Sequence, residues 1–349
     1  MRRTLCGVLP EELEGWLTSV GQPGYRSKQI LAWVHRRGVA DPGLMTDLPS
    51  ALRELLRDEF PPCPAEIVHV AASRDGTRKL LVSLAAGGAV ETVLIPDESK
   101  LTQCISTQVG CAFRCAFCLS GSKGLDRDLT ADEIMAQLLL ARSSWNEQER
   151  LSNVVLMGSG EPLANYRESK RALELMTGSD AGDLSTRRVT VSTIGLPKGI
   201  RRLGEDFGGQ IGLAVSLHGA DDRTRARLLP KVKTVPIDEV LSALREYPLP
   251  RRRRITIEYV LVAGVNDAES QAKELSRRLA GLRVKVNLIP FNPHDACDLS
   301  PPSREQVERF QRVLVARGLT AIVRRERGVD IGAACGQLIA ARAGLTDRG

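Results

Sequence analysis

No apolar run in the 349 residues approaches the roughly 20 needed to cross a bilayer. Met1-Arg2-Arg3 is followed by no apolar stretch, so no signal peptide is expected. The chain has no internal repeat and no low-complexity tract. A disulfide framework is not expected either. Of the eight cysteines, three crowd into one short loop, the usage of a reducing compartment such as the cytoplasm. That loop, Gly110-Cys111-Ala112-Phe113-Arg114-Cys115-Ala116-Phe117-Cys118, in turn lacks something: no fourth cysteine or histidine follows at short range.

What is present is a soluble globular composition, 42% hydrophobic and 26% charged, long enough for two or three domains. Net charge is +7, from 49 basic and 42 acidic residues. Basic residues cluster at Arg187-Arg188, at Lys231 and Lys233, at Arg251 to Arg254, and at Arg324-Arg325 with Arg327. Each cluster alone reads as a solvated face; together they favour a polyanionic partner such as RNA.

Residues 1–62 read as a small helical domain. Leu13, Trp16 and Leu17 share one helical face, Ile30, Leu31, Trp33 and Val34 a second. Leu48, Leu52, Leu55 and Leu56 form a third, with Ser50 as a candidate cap. Lys28, Arg36, Arg37 and Arg53 suggest a basic outer face. A β extension and linker over 63–100 carries strands at Lys79–Leu84 and Val90–Ile95, joined by Ala85–Gly88. Glu91 is unusual in the second strand, and alternation alone makes it a solvent-facing residue. From 101 to 294 strand and helix signals alternate, the pattern of βα units around a parallel sheet. Strands are expected at 153–157, 189–192, 211–215, 255–261 and 284–289, and helices over 169–176, 237–246 and 268–279. Thr130-Ala131-Asp132-Glu133 is a capping box. Residues 295–349 form a C-terminal segment, with a helix from Ser303, a strand at Thr320–Val323 and a Gly/Ala-rich loop around Cys335.

A structural zinc site closes with four ligands, and an iron–sulfur cluster normally takes four thiolates. Three thiolates in one loop leave one iron open to a cofactor. In a parallel βα barrel, chemistry sits at the carboxyl ends of the strands. Gly158-Ser159-Gly160-Glu161-Pro162, Ser192, Ser216-Leu217-His218 and Asn292 recur at those ends. Each alone is as readily a turn or cap residue. Cys104 and Cys335 stand apart from the triplet, and Cys335 is flanked by small residues that leave a thiol accessible.

The C-x3-C-x2-C loop with Phe117 before its last cysteine resembles that of the radical S-adenosylmethionine (SAM) enzymes. Val90-Glu91-Thr92-Val93, Cys104, Gly158–Pro162, Ser216–His218, Asn287–Pro293 and Asp330–Leu338 together resemble the RlmN/Cfr family of radical SAM RNA adenine methyltransferases, over nearly the whole chain. Pro162 and Ile95-Pro96 favour the RlmN side; Leu119 and Ser159 depart from the usual residues. The resemblance implies a partial (β/α)6 radical SAM barrel with a small helical N-terminal domain that would bind RNA. It implies a 4Fe–4S cluster on Cys111, Cys115 and Cys118, and SAM, two per turnover, held by Gly160, Glu161, Ser192, Ser216, Leu217, His218 and Asn292. Cys335 would carry the methyl group, Glu91 would accept a proton, and Cys104 would resolve the adduct through a transient disulfide. The substrate would be an adenine of 23S ribosomal RNA, methylated at C2, with transfer RNA a second substrate. A flavodoxin-type electron donor and a monomer are implied too. Three other readings stay open: Cfr-like methylation at C8, a radical SAM enzyme acting on another substrate such as a protein, and a non-catalytic zinc protein that binds RNA.

Overall fold

The computed structural model describes residues 2–232, 235–294 and 296–338. Twelve strands are found among them: β1 (Ala65–Ala72), β2 (Arg78–Leu84), β3 (Ala89–Asp97), β4 (Lys100–Cys104), β5 (Gln108–Gly110), β6 (Leu125–Asp128), β7 (Arg150–Leu156), β8 (Val189–Thr193), β9 (Gly212–Ser216), β10 (Ile255–Leu261), β11 (Val284–Pro290) and β12 (Ala321–Val323). Ten of them make one mixed sheet in the order β1-β2-β3-β4-β7-β8-β9-β10-β11-β12, and β5 pairs with β6 separately. Strands β1 to β4 are antiparallel neighbours. From β4 onward every pairing within the ten-stranded sheet is parallel. Six parallel strands, β4 and β7 to β11, therefore curve into an open barrel, and β12 extends its edge. The expected partial barrel with its β extension is the observed architecture.

Local chemistry explains the elements. All seven residues of β10 are buried, as expected of a strand covered on both faces. Thr130 accepts from the Glu133 amide while Glu133 reaches back to the Thr130 amide, so helix Ala131–Ala141 starts on a complete capping box. Helices Tyr166–Thr177, Ile237–Glu246, Glu269–Arg278 and Arg304–Ala316 lie within a few residues of the expected positions.

Three details differ. Ser50 does not cap its helix; Pro49 holds the cap position and Ser50 is the first helical residue. Strand β1 was not expected, and a register shift between Ile67 and His69 breaks the alternation that would announce it. The N-terminal basic face is largely spoken for. Lys28 and Arg36 reach Asp180 and Asp183 on the barrel, and Arg37 pairs with Asp47 and stacks over Trp33.

Candidate active site at the carboxyl ends of the barrel strands

The parallel strands bring their carboxyl ends to one face of the barrel. Met157, Gly158, Gly160 and Glu161 follow β7, Ser192 and Ser216 close β8 and β9, and Asn292 follows β11. All of these line one cavity together with Cys111, Cys115, Cys118, His218 and Cys335. Gly160 sits at φ +104°, and a Cβ there would lie 2.6 Å from the Gln108 side chain, so only glycine fits. Glu161 is buried. Its oxygens accept the backbone amides of Leu163 (3.0 Å) and Ile194 (2.8 Å), which fixes the β8 exit against the β7 exit. Burial nevertheless raises its pKa to about 7.

His218 is in the left-handed region, φ 55°. Its Nδ1 accepts the Val260 amide at 3.0 Å, so the neutral ring carries its proton on Nε2. Burial, aided by the charge of Arg225, pushes its pKa down to about 3. The ring meets Phe117 of the cysteine loop edge-on, centroids 4.7 Å apart. Leu217 does not join this lining. Its neighbours Ser216 and His218 turn to the cavity, and its own side chain, 0% exposed, lies in the hydrophobic core.

The three cysteines lie in the loop between β5 and β6. Burial raises all three thiols, Cys111 to about 11; Cys118 adds to it for Cys111 and Cys115, and Cys335 adds to it for Cys118. A cationic centre would reverse that preference and favour thiolates. Among the described residues no trio of His, Cys, Asp and Glu is arranged to hold a single metal ion. Soft thiolate ligands, one to each iron of a cluster, are the arrangement that fits this loop.

Cys335 is hydrogen-bonded into the same unit. Leu119 N–H donates to the Gly336 carbonyl at 2.7 Å, and Asn292 Nδ2 to the Cys335 carbonyl at 3.4 Å. Ser120 Oγ donates to the Leu338 carbonyl at 2.6 Å. The far end of this segment is clamped to the β1–β2 turn: Asp330 accepts from Ser73 Oγ and the Arg74 amide, and Gly328 N–H donates to Asp75. The β extension thus anchors the loop that lies over the barrel mouth.

Cys104 and Glu91 form the layer behind the cavity. Cys104 ends β4 directly opposite Val93, and packs with Val93, Ala333 and Leu338 beneath the Cys335 loop. Burial pushes its thiol up to about 12, the charge of Cys335 adds to this, and Arg324 opposes it. Glu91 is two residues before Val93 on the same strand face and is 6% exposed, so alternation alone misplaced it. Its Oε1 pairs with Lys79 Nζ at 2.9 Å, Lys79 also donates to the Gly332 carbonyl, and Glu91 Oε2 is buried without a hydrogen-bond partner.

Sequence reasoning missed two charged residues of the lining. Glu258, inside the apolar run of β10, accepts from Asn287 through Oε1 and has Oε2 unpartnered; burial raises its pKa. The signal was a carboxylate inside a buried strand. Arg324 follows β12, and its guanidinium is stabilised by Cys335 first, then by Glu258 and Cys104. It belongs to the strand ends; grouping it with Arg325 and Arg327 as surface charge was wrong. The other basic clusters lie elsewhere. Arg187-Arg188 and Arg251 to Arg254 precede β8 and β10, at the end of the barrel opposite the cavity. Lys231 is exposed, and Lys233 lies outside the described residues.

Comparison with known proteins agrees with this geometry. Residues 105–275 match the family model described as the radical SAM superfamily, and residues 4–60 match the ribosomal RNA large subunit methyltransferase N-terminal domain. The chain is 50% identical to a dual-specificity RNA methyltransferase RlmN from Sorangium cellulosum, over 95% of this chain and 94% of the relative. It is 45% identical to the protein of that name from Geobacter sulfurreducens, over 95% and 91%. A crystal structure of a radical SAM methyltransferase from Sphaerobacter thermophilus superimposes with a TM-score of 0.92 at 43% identity, over 97% of this chain and all of that one.

Proposed function

This chain belongs to the RlmN family of radical SAM RNA methyltransferases, and on that premise we propose that it methylates C2 of an adenine in 23S ribosomal RNA and in transfer RNA, with Cys335 carrying the methyl group. The observation that carries this reading is the meeting of Cys335 and the cysteine triplet at one cavity, with Cys104 packed behind them.

An adenine ring carbon bonded to hydrogen is a poor nucleophile, so direct polar transfer from SAM fails. Cys111, Cys115 and Cys118 would hold the cluster, which when bound supplies the electron that cleaves SAM and opens a radical route. Glu161, Gly160, Ser192, Ser216, His218 and Asn292 would bind SAM from the strand ends, and Leu217 would contribute through its backbone alone. Cys335 would accept a methyl group from one SAM, and a second SAM would supply the chemistry that activates it. Once the carbon is joined to the ring, Glu91 would take the ring proton through its free Oε2, and the odd electron left on the ring would return to the group on the cysteine triplet that supplied one. Cys104 sulfur would then bond to Cys335 sulfur as the bond from sulfur to the methylene breaks. The electron pair leaves with the product, which takes up a proton to finish as methyl. The positive charge of Arg324 favours the Cys104 thiolate that this step needs.

The rest of the reading follows from the same premise. Residues 1–62 and 63–100 would handle RNA and anchor the carrier loop, 101–294 would hold the cofactors, and 295–349 would bring Cys335. The protein would work in the cytoplasm as a monomer with a flavodoxin-type donor. Mass spectrometry of RNA nucleosides from cells with and without the gene tests the function. We expect 2-methyladenosine to disappear with the gene. A loss of 8-methyladenosine would move the reaction to C8, and no change in either would overturn the reading.

A further inference from the structure

The end of the barrel away from the cavity carries a charge pattern that the active site does not use. Five consecutive loops lead into β8, β9, β10, β11 and β12: residues 178–188, 208–211, 247–254, 279–283 and 317–320. Their only acidic residues are Asp180 and Asp183, which pair with Lys28 and Arg36 of the N-terminal domain. They also contain Arg187 and Arg188, the run Arg251 to Arg254, Arg283 and Arg317. Neighbouring entries of a parallel sheet are adjacent in space, so these arginines form one belt. The side chains confirm it: Arg253 reaches the Gln210 carbonyl, Arg254 the Thr320 hydroxyl, and Arg283 the Leu249 and Pro250 carbonyls.

Among the described residues none of these arginines has a carboxylate partner. Other surface cations do pair with carboxylates, as in Lys170–Glu174, Lys273–Glu269 and Arg304–Glu308. Arg187 and Arg253 are close enough for the charge of one to oppose that of the other. Such uncompensated repulsion weakens the folded state unless a polyanion relieves it. Arginine in place of lysine supplies planar forks that match phosphate oxygens. Strands of five to seven residues at ~3.3 Å each separate the belt from the mouth by roughly 15–25 Å. An RNA segment seated at the mouth therefore reaches the belt only through another part of the same folded molecule.

We propose that this arginine belt is a second RNA-docking surface, which grips the phosphate backbone of a remote part of the folded substrate while the target adenine occupies the cavity. The proposal rests on the RNA reading above. It assigns the belt to affinity and the cavity to chemistry.

The test compares Arg187→Ser/Arg251→Ser/Arg252→Ser with a control of equal charge loss, Lys170→Ser/Lys273→Ser/Arg304→Ser. Binding of a long 23S ribosomal RNA fragment is measured by fluorescence anisotropy across a potassium chloride series. The belt variant should bind about tenfold more weakly at 0.15 M salt, with a slope of log affinity against log salt shallower by about 0.7–0.9 per lost contact. The control should shift less than twofold, and turnover of a short hairpin at saturation should stay at the wild-type rate. Equal shifts in both variants, or none in the belt variant, would overturn the proposal. Ultraviolet cross-linking of the wild-type protein gives a readout free of folding effects: adducts should map to peptides covering 185–188 or 247–254, and adducts confined to other regions count against it. If the wild-type protein binds RNA at the belt yet makes no methyladenosine, the methyltransferase reading fails and the docking surface stands.

Discussion

Leu119 N–H and the Gly336 carbonyl are joined at 2.7 Å, so the cysteine triplet and the Cys335 segment form one hydrogen-bonded unit although 217 positions separate these two residues in sequence. Gly336 makes this possible. It sits at φ +86°, and a Cβ there would lie 2.9 Å from the Phe117 carbonyl oxygen. Gly336→Ala should cost about 1–2 kcal/mol from the left-handed backbone alone, and contact with Phe117 adds to it. The segment should lift from the mouth. Alkylation of Cys335 by iodoacetamide in cluster-free protein, followed by peptide mass spectrometry, should be several-fold faster than in wild type. An unchanged rate would mean that the two loops are held independently.

What could be read from the chain tracks how local the information is. The triplet and the strand-end residues Ser192, Ser216, His218 and Asn292 were visible because spacing within one βα unit locates them. Leu217 was placed with them by position, yet strand-end geometry sends its side chain into the core beside two residues that face the cavity. Glu91 was invisible to alternation because its partner Lys79 is tied to Gly332, more than 200 positions away. Arg324 hid in a basic run because the expected strand before it shows its place only once it pairs parallel with β11, which brings Arg324 to the strand ends. The separation of the arginine belt from the cavity needed the direction of every parallel strand, which no single cluster reveals.

Glu161 makes the stability of the cluster-free protein depend on pH. Its folded pKa is raised to about 7 from an unfolded value near 4.5. Between those values the folded state binds more protons than the unfolded state, so stability falls as pH rises through the window. A shift of this size corresponds to roughly 3 kcal/mol between pH 4.5 and pH 7. Urea unfolding from pH 5 to pH 8 should show this decline, and Glu161→Gln should flatten it. A curve equally steep in the variant would assign the dependence to other groups.

Cys104→Ala removes the thiol packed under the Cys335 loop without touching the cavity lining. Loss of one buried sulfur leaves a small void, costing about 1 kcal/mol, so the protein should fold. RNA should then become covalently attached to Cys335 and release should stop, giving a slow band on denaturing gels that labels with RNA. Free methylated product at the wild-type rate would remove Cys104 from the reaction. Cys335→Ala should give neither adduct nor product.

Lys79 neutralises Glu91 across the β2–β3 pair at 2.9 Å and donates to the Gly332 carbonyl as well. Glu91 is almost fully covered, and Lys79 about one-fifth exposed at its side chain. Removing the cation leaves a buried carboxylate with no counter-charge. Lys79→Met should cost about 2–3 kcal/mol, toward the low end for breaking such a pair because Lys79 retains some solvent. Replacing both, Lys79→Met with Glu91→Leu, should recover most of that loss, since two apolar side chains carry no unmet charge. Chemical denaturation of the two variants measures the difference. If the double variant is no more stable than the single one, the charge of Glu91 is not what Lys79 offsets, and the lysine acts through its bond to Gly332 instead.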